Sequence, residues 1–359
     1  MGKNRVKETC SGCGACAEIC PEGAIHMFQD REGFAYPEIE KSACTGCGRC
    51  RVVCPLKRNG AGKCHNAYFG AQAKKKQLRY SGSSGGIFPI LAQYVIERGG
   101  IVYGAGYDCN MNVVHRGAEN CEQLEEIKRT KYVQSNMKGI YRSIEENLIR
   151  NRWVLFCGTP CQAQALMLFL NKKYETLIVV DLVCYGVPSP GIWKKYVKYL
   201  EHKHSGKMTD FCFRDKRNED NGHMRSYWIN GTEYVASIYQ DIYCKLYFRN
   251  YMLRPSCYRC SFCTINRNSD FTIGDFWGIE HVRPDLDDGM GTSLVIVHSD
   301  LARKIWNELR EETCWFACER KDILQPRLLE ATKSPRFRHV FSFLYRIMPF
   351  GLMERVLRN

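Results

Sequence analysis

Two cysteine runs near the start constrain this chain more than any other feature. The first reads CSGCGACAEICP from Cys10 and the second CTGCGRCRVVCP from Cys44. They align residue for residue: Cys10 with Cys44, Cys13 with Cys47, Cys16 with Cys50, Cys20 with Cys54. Each is a C-x2-C-x2-C-x3-C-P run. Such a loop wraps three thiols around one point and carries the fourth away on a short helical turn, which Pro21 or Pro55 ends. Glycines between the thiols let backbone amides approach the sulfurs.

That spacing is the one in which three cysteines of a run and the fourth of its twin hold a 4Fe-4S cluster. It assigns one cluster to Cys10, Cys13, Cys16 and Cys54, and a second to Cys44, Cys47, Cys50 and Cys20. Zinc sites rarely show four cysteines at this spacing, let alone twice in register. A disulfide framework would suit a secreted chain, but Met1 to Thr9 is polar and carries no secretory pattern. Thiolate clusters imply a reducing compartment, so a cytoplasmic protein is expected. No run approaches the ~18 apolar residues of a membrane span; the best stretch, Leu177 to Val187, is broken by Asp181.

The chain has 359 residues, 21 of them cysteine, and a formal net charge of +14. Its length leaves room for two or three domains. The basic residues are scattered (Lys74–Lys76, Lys128–Lys131, Lys194–Lys198, Arg336–Arg338), and no nucleic-acid-binding motif accompanies them, so no nucleic-acid partner is expected. The excess charge suits an acidic redox partner protein such as a reduced ferredoxin, or a phosphate-bearing cofactor or substrate.

Residues 1–60 read as an α+β, ferredoxin-like module, with strand-like links at Ala24–Phe28 and Phe34–Ile39. The turn-rich Arg58–Lys63 segment is a natural boundary. Beyond it, helices alternate with β-rich runs. Helices are expected over Gly85–Arg98, Gly139–Asn151, Cys161–Leu170, Pro190–His204 and Asp300–Glu311. Strands are expected over Ile101–Tyr107, Trp153–Phe156, Leu177–Cys184 and Thr292–His298. The alternation argues for an α/β domain with a mostly parallel sheet, interrupted by an irregular cysteine-bearing insert over Lys207–Gly278. The expected division is 1–60, then 65–145 and 146–325 as two parts of one larger domain, then 326–359 as a basic amphipathic tail. From Ser334 to Asn359 that tail has five arginines and one glutamate among Phe, Leu, Ile and Met. It reads as a docked helix, with peripheral membrane contact as the alternative.

Four stretches carry the chemistry of the larger domain: SGSSGG (81–86), FCGTPCQAQAL (156–166), DLVCYGVPSP (181–190) and RPSCYRCSFCTINRNSDFTIGDFWG (254–278). With KYVQS at 131–135, they resemble the beta-subunit family of the coenzyme F-420 (deazaflavin) hydrogenases and dehydrogenases. The motifs occur in order over roughly residues 65–320. A ferredoxin module in front is also found in that family, particularly in bacterial members.

The resemblance implies an FAD-binding domain that also holds an iron–sulfur cluster. Cys161 follows one expected strand and Cys184 closes another, so both would emerge at the carboxyl edge of a parallel sheet, where such folds bind ligands. With the C-x2-C pair Cys257 and Cys260 they make four thiolates for a third 4Fe-4S cluster. Cys263 is a rival ligand, and a structural zinc at Cys257, Cys260 and Cys263 is the bland alternative. Cys157, Cys212, Cys244, Cys314 and Cys318 read as small buried apolar residues. For the flavin, Ser83, Ser84, Gly85 and Gly86 offer amides and hydroxyls at a helix start, although plain capping explains them too. Gly158 and Thr159 form a tight turn able to approach a phosphate or a ring. Lys131, Gln134, Ser135 and Asp275 are further candidate contacts. Gly104-Ala105-Gly106 lacks the third glycine of a dinucleotide fingerprint, so a nicotinamide site is unsupported. His115, His223 and Arg214 are conceivable substrate contacts that read more naturally as structural, and no catalytic constellation is identified.

The expectation is thus an iron–sulfur flavoprotein oxidoreductase. It would pass electrons between its 4Fe-4S clusters and FAD, and onward to a deazaflavin coenzyme or another small two-electron acceptor or donor. The rivals are a non-catalytic electron-transfer subunit and a flavin-free iron–sulfur sensor or scaffold.

Overall fold

The computed structural model describes residues 8–57, 66–217 and 223–357; the expected boundary at Arg58–Lys63 lies outside the described residues. Residues 8–57 pair strand β1 (Ile25–Gln29) with β2 (Ala35–Ile39) in an antiparallel hairpin, Ile25 opposite Ile39. Two single-turn helices, Ala15–Glu18 and Arg49–Val52, each start after a glycine in the left-handed region, Gly14 at φ 80° and Gly48 at φ 76°. The repeat seen in the sequence is therefore a repeat in backbone conformation.

The larger domain contributes β3 (Ala67–Ala73), β4 (Ile101–Tyr107), β5 (Val113–Ala118), β6 (Val154–Gly158), β7 (Leu177–Leu182), β8 (Met208–Asp215), β9 (Met224–Ile229), β10 (Thr232–Ser237), β11 (Phe271–Asp275), β12 (Ser293–Val297) and β13 (Thr313–Cys318). Eight of these form one sheet in the order β13-β3-β12-β11-β7-β6-β4-β5. Only β11, β7, β6 and β4 are mutually parallel; the flanking pairs are antiparallel. The expected mostly parallel sheet is therefore a mixed one with a parallel centre. The reason is that β3, β5 and β13 are edge or near-edge strands of polar or mixed composition, without the continuous apolar signature of strands buried on both faces.

Side chains alternate across the sheet. Val102, Leu155, Ile178, Val180 and Phe271 face the helices Ile87–Ile96 and Asp300–Leu309. Ile101, Tyr103, Val154, Phe156 and Val179 face the helices Ile140–Ile149 and Pro160–Leu170. Cys13, Ala15 and Val53 of the N-terminal module are buried in that second cluster, so the module completes the core of the larger domain.

The region expected to be irregular is half regular. Strands β8, β9 and β10 make a separate antiparallel sheet. They pack with the helix Ile242–Phe248 around Trp193 of the helix Pro190–Lys203. The tail docks as expected of it: Phe341 and Tyr345 of the helix Arg338–Ile347 are buried in this same core. Its other face remains apolar and exposed at Val340, Phe343 and Ile347.

Candidate functional site

The helix Pro160–Leu170 begins at the end of β6, where Thr159 and Gln162 cap it reciprocally. A Cβ at Gly158 would stand 2.7 Å from the Phe156 ring, so the turn needs glycine. Cys161 thus sits in the first turn of a helix, where the backbone dipole favours a thiolate. Cys184 lies two residues beyond β7, on the same edge of the sheet. There the chain turns through Gly186, at φ 113°, against Cys257. Cys257 rides a short 3-10 turn, Pro255–Arg259, with Cys260 and Cys263 following.

These five thiols come together. Cys161, Cys184, Cys257, Cys260 and Cys263 line one cavity of about 220 Å³. Thr9, Ser11 and Leu56 of the N-terminal module close one wall of it. Donors converge on the sulfurs: the Gly186 amide on Cys184, Val187 on Cys257 and Phe262 on Cys260, each at 3.4 Å. The Thr159 hydroxyl lies 3.2 Å from the Cys161 sulfur. Hydrogen bonds of this kind set the potential of thiolate-bound iron.

Burial holds the free thiols protonated. It raises Cys161 to about 11 and Cys257 to about 12, and pushes Cys184 well up. Cys260 is the exception, lowered to about 7 chiefly by a hydrogen bond from the Cys263 thiol. Converting four such groups to thiolates requires strong positive charge among them, which is what iron supplies. Among the described residues no three Cys, His, Asp or Glu side chains stand close enough to grip a single metal ion.

The N-terminal thiols lie in two neighbourhoods. Cys20, Cys44, Cys47 and Cys50 line one small cavity of about 30 Å³, with Cys44 and Cys47 exposed. Burial raises Cys16 to about 12, and Cys10, Cys54 and Cys50 add to the effect. Cys13 is raised by burial and also feels Cys161. The three groups of thiols therefore form a row: the exposed Cys44 group, then the Cys10 group, then the buried cavity.

The other candidate residues fall into two places. Gln134 belongs to the seam with the N-terminal module, its amide donating to the Ser11 carbonyl at 2.9 Å. Ser135 receives the Gln162 amide at 3.0 Å and so braces the Thr159 turn. The Ser83–Gly86 turn is largely engaged within the protein: the Gly85 amide donates to Ser293 Oγ at 2.9 Å and the Gly86 amide to the Ser83 carbonyl at 3.1 Å. Ser84, at φ 52°, gives its hydroxyl to the Thr292 carbonyl at 2.7 Å. A non-glycine residue held in that region is strained.

Among the described residues two lysines hydrogen-bond to backbone carbonyls, Lys216 at this turn and Lys131 at the end of the helix Cys121–Ile127. Lys216 donates to the carbonyls of Arg79 and Ser84, and Lys131 to those of Glu126 and Lys128. Burial lowers both to about 7, with Arg214 adding to the effect at Lys216 and Arg129 at Lys131. Asp275, at the end of β11, is raised by burial but lowered further by Arg214, which holds it at 2.7 Å. Lys216 and Arg254 are the residues that sequence reasoning missed. No motif marks a lone basic residue, and only burial reveals that these lack carboxylate partners. His115 is structural, 3.0 Å from the Cys157 carbonyl and stacked on Phe156. His223 sits against the Tyr239 hydroxyl at 3.1 Å. Of the cysteines expected to be buried apolar residues, Cys212 and Cys244 are, Cys157 and Cys318 are half-buried, and Cys314 is exposed because it lies on edge strand β13.

Comparison with known proteins bears on both halves of the chain. Residues 151–321 match the family model for the C terminus of the beta subunit of coenzyme F420 hydrogenase/dehydrogenase, and residues 9–57 match a 4Fe-4S dicluster domain. No curated protein matches the chain. Among solved structures, it is similar to a chain of the F420-reducing NiFe hydrogenase complex from Methanosarcina barkeri. The identity is 16% over 80% of this chain and 91% of that one, with a TM-score of 0.46.

Proposed function

We propose that this chain, which matches a 4Fe-4S dicluster domain over residues 9–57 and the C-terminal domain of the coenzyme F420 hydrogenase/dehydrogenase beta subunit over residues 151–321, is an iron–sulfur flavoprotein oxidoreductase with a third 4Fe-4S cluster. Its electron-transfer character follows from the dicluster domain. The observation that carries the rest is the cavity of about 220 Å³ ringed by five thiols at the carboxyl edge of the parallel strands.

Cys161, Cys184, Cys257 and Cys260 would hold the third cluster. Cys263, which lines the same cavity, is the rival for one position. When bound, the clusters supply one-electron transfer and FAD the exchange between one- and two-electron steps. For the flavin, Lys131 and Lys216 provide two amino groups that, among the described residues, form no ion pair and could meet an anionic cofactor. Ser83–Gly86, Gly158, Thr159 and Asp275 lie on the same edge of the sheet and would bound the site. The two-electron partner would be a deazaflavin coenzyme or another small molecule.

A second reading, a non-catalytic electron-transfer subunit that serves a partner protein, is favoured by the exposed apolar face at Val340, Phe343 and Ile347. Iron, sulfide and extracted flavin per chain after anaerobic purification test the proposal. About 12 irons with one FAD support it. About eight irons without flavin overturn both the third cluster and the flavoenzyme.

A further inference from the structure

Arg254 is completely buried at the seam between the N-terminal module and the larger domain. Its guanidinium donates from Nε to the Cys10 carbonyl at 2.6 Å, from Nη1 to Gln134 Oε1 at 3.0 Å and from Nη2 to the Ala35 carbonyl at 2.8 Å. The rings of Tyr36 and Phe34 flank it at 4.3 and 5.3 Å. A Cβ at Gly12 would stand 2.5 Å from the guanidinium, so the first cysteine loop is cleared of side chains for this one group.

All three acceptors are neutral, and among the described residues Arg254 forms no ion pair. A guanidinium stays charged at any pH a protein tolerates. Buried without a counter-charge it is costly. A counter-charge would come from the clusters that flank it. Arg254 acts electrostatically on the thiols of Cys161 and Cys257 in the cavity. It also bonds the backbone of Cys10, a ligand of the inner N-terminal cluster.

We propose that Arg254 is the shared counter-cation of the inner N-terminal cluster and the third cluster, setting both at higher potential than the exposed cluster of Cys44, Cys47 and Cys50. Reduction adds one negative charge to a cluster, and a fixed cation in a low-dielectric seam stabilises that added charge. The exposed cluster lies in solvent, where nearby charges are screened. An electron leaving the exposed cluster oxidises it by one and reduces the inner cluster by one, so the guanidinium makes the inward direction downhill. Arg254 is a positioning residue here. The part concerning the third cluster rests on the function proposed above; the part concerning the inner cluster does not.

Redox titration followed by electron paramagnetic resonance, on anaerobic full-length protein with iron counted in each sample, tests this. Wild type is compared with Arg254→Gln, Arg254→Lys and Gln134→Leu. The proposal expects Arg254→Gln to move the inner-cluster wave to lower potential and leave the exposed-cluster wave in place. Arg254→Lys should stay close to wild type, because it keeps the charge while giving up the hydrogen-bond fork. Gln134→Leu, which breaks the seam without removing charge, should move neither wave. An unmoved inner wave in Arg254→Gln, or an equal shift in Gln134→Leu, overturns it. Should Arg254→Gln lose iron, Arg254→Lys decides: an inner wave near wild type supports the proposal and a lowered one overturns it. A wild-type count of about eight irons removes the third cluster while leaving the inner-cluster test intact.

Discussion

Cys263 lines the same cavity as Cys161, Cys184, Cys257 and Cys260, and the proposed third cluster takes the other four. Cys161→Ser is therefore expected to lose about four irons per chain, whereas Cys263→Ser keeps them; iron analysis of the two variants separates these outcomes. Sequence spacing left Cys263 open as a rival because C-x2-C-x2-C repeats it in register with Cys257 and Cys260. A second residue-scale expectation concerns acid. His298, held between Thr272 at 2.8 Å and Asn66 at 2.9 Å, is lowered by burial to about 4. It stays neutral in the fold while the unfolded chain takes up a proton near pH 6.5, so stability falls as pH drops from about 6.5 towards 4, by up to about 3 kcal/mol. Urea midpoints across that range should slope less in His298→Asn than in wild type; equal slopes would assign the effect to other groups. Nothing in the sequence around His298 distinguishes it from a surface histidine, since its environment is assembled from β11 and the residue before β3.

At the scale of elements, Asp181 on β7 ties the parallel centre to the loop that carries the last cysteines. It accepts from Arg267 at 2.7 Å, Ser269 at 2.9 Å and Thr272 at 2.7 Å. Asp181 and Arg267 form a buried ion pair, so removing the anion in Asp181→Ala is expected to cost about 3–5 kcal/mol. A denaturant midpoint within error of wild type would refute this. Asp181 was legible only as the charge that interrupts an apolar run, not as the anchor of a loop 86 residues away. The helices and central strands were legible because their apolar periodicity is local: β4 falls where Ile101–Tyr107 was expected, and the helix Pro190–Lys203 ends one residue early. The antiparallel pairs of β3 were not legible, because β3 meets β12 and β13 from more than 200 residues away. Glu32, between β1 and β2, binds Arg338 and Ser342 of the tail helix. Glu32→Gln should free that helix, read as faster proteolytic loss of the tail with the rest of the chain intact.

For the whole molecule, a net charge of +14 and a cluster site with two exposed cysteines make encounter with an electron carrier electrostatic. Reduction by an acidic protein carrier should slow as salt rises through about 0.15 M, where the screening length is about 8 Å, while reduction by a neutral small molecule should not. Stopped-flow rates at several salt concentrations check this, and equal salt dependence for both carriers would refute it. The seam has a further consequence, in the order in which the protein is made. Arg254 grips Cys10 across 244 positions and Arg338 grips Glu32 across 306. Translation runs at about 5–20 residues per second, so the first cysteine loop waits between about 12 and 50 s on the ribosome before its clamp exists. During that wait its thiols are open to oxidants and to the machinery that loads iron alike. Alkylation of Cys10 on ribosome-bound chains stalled before and after residue 254 should show the protection arriving with the arginine.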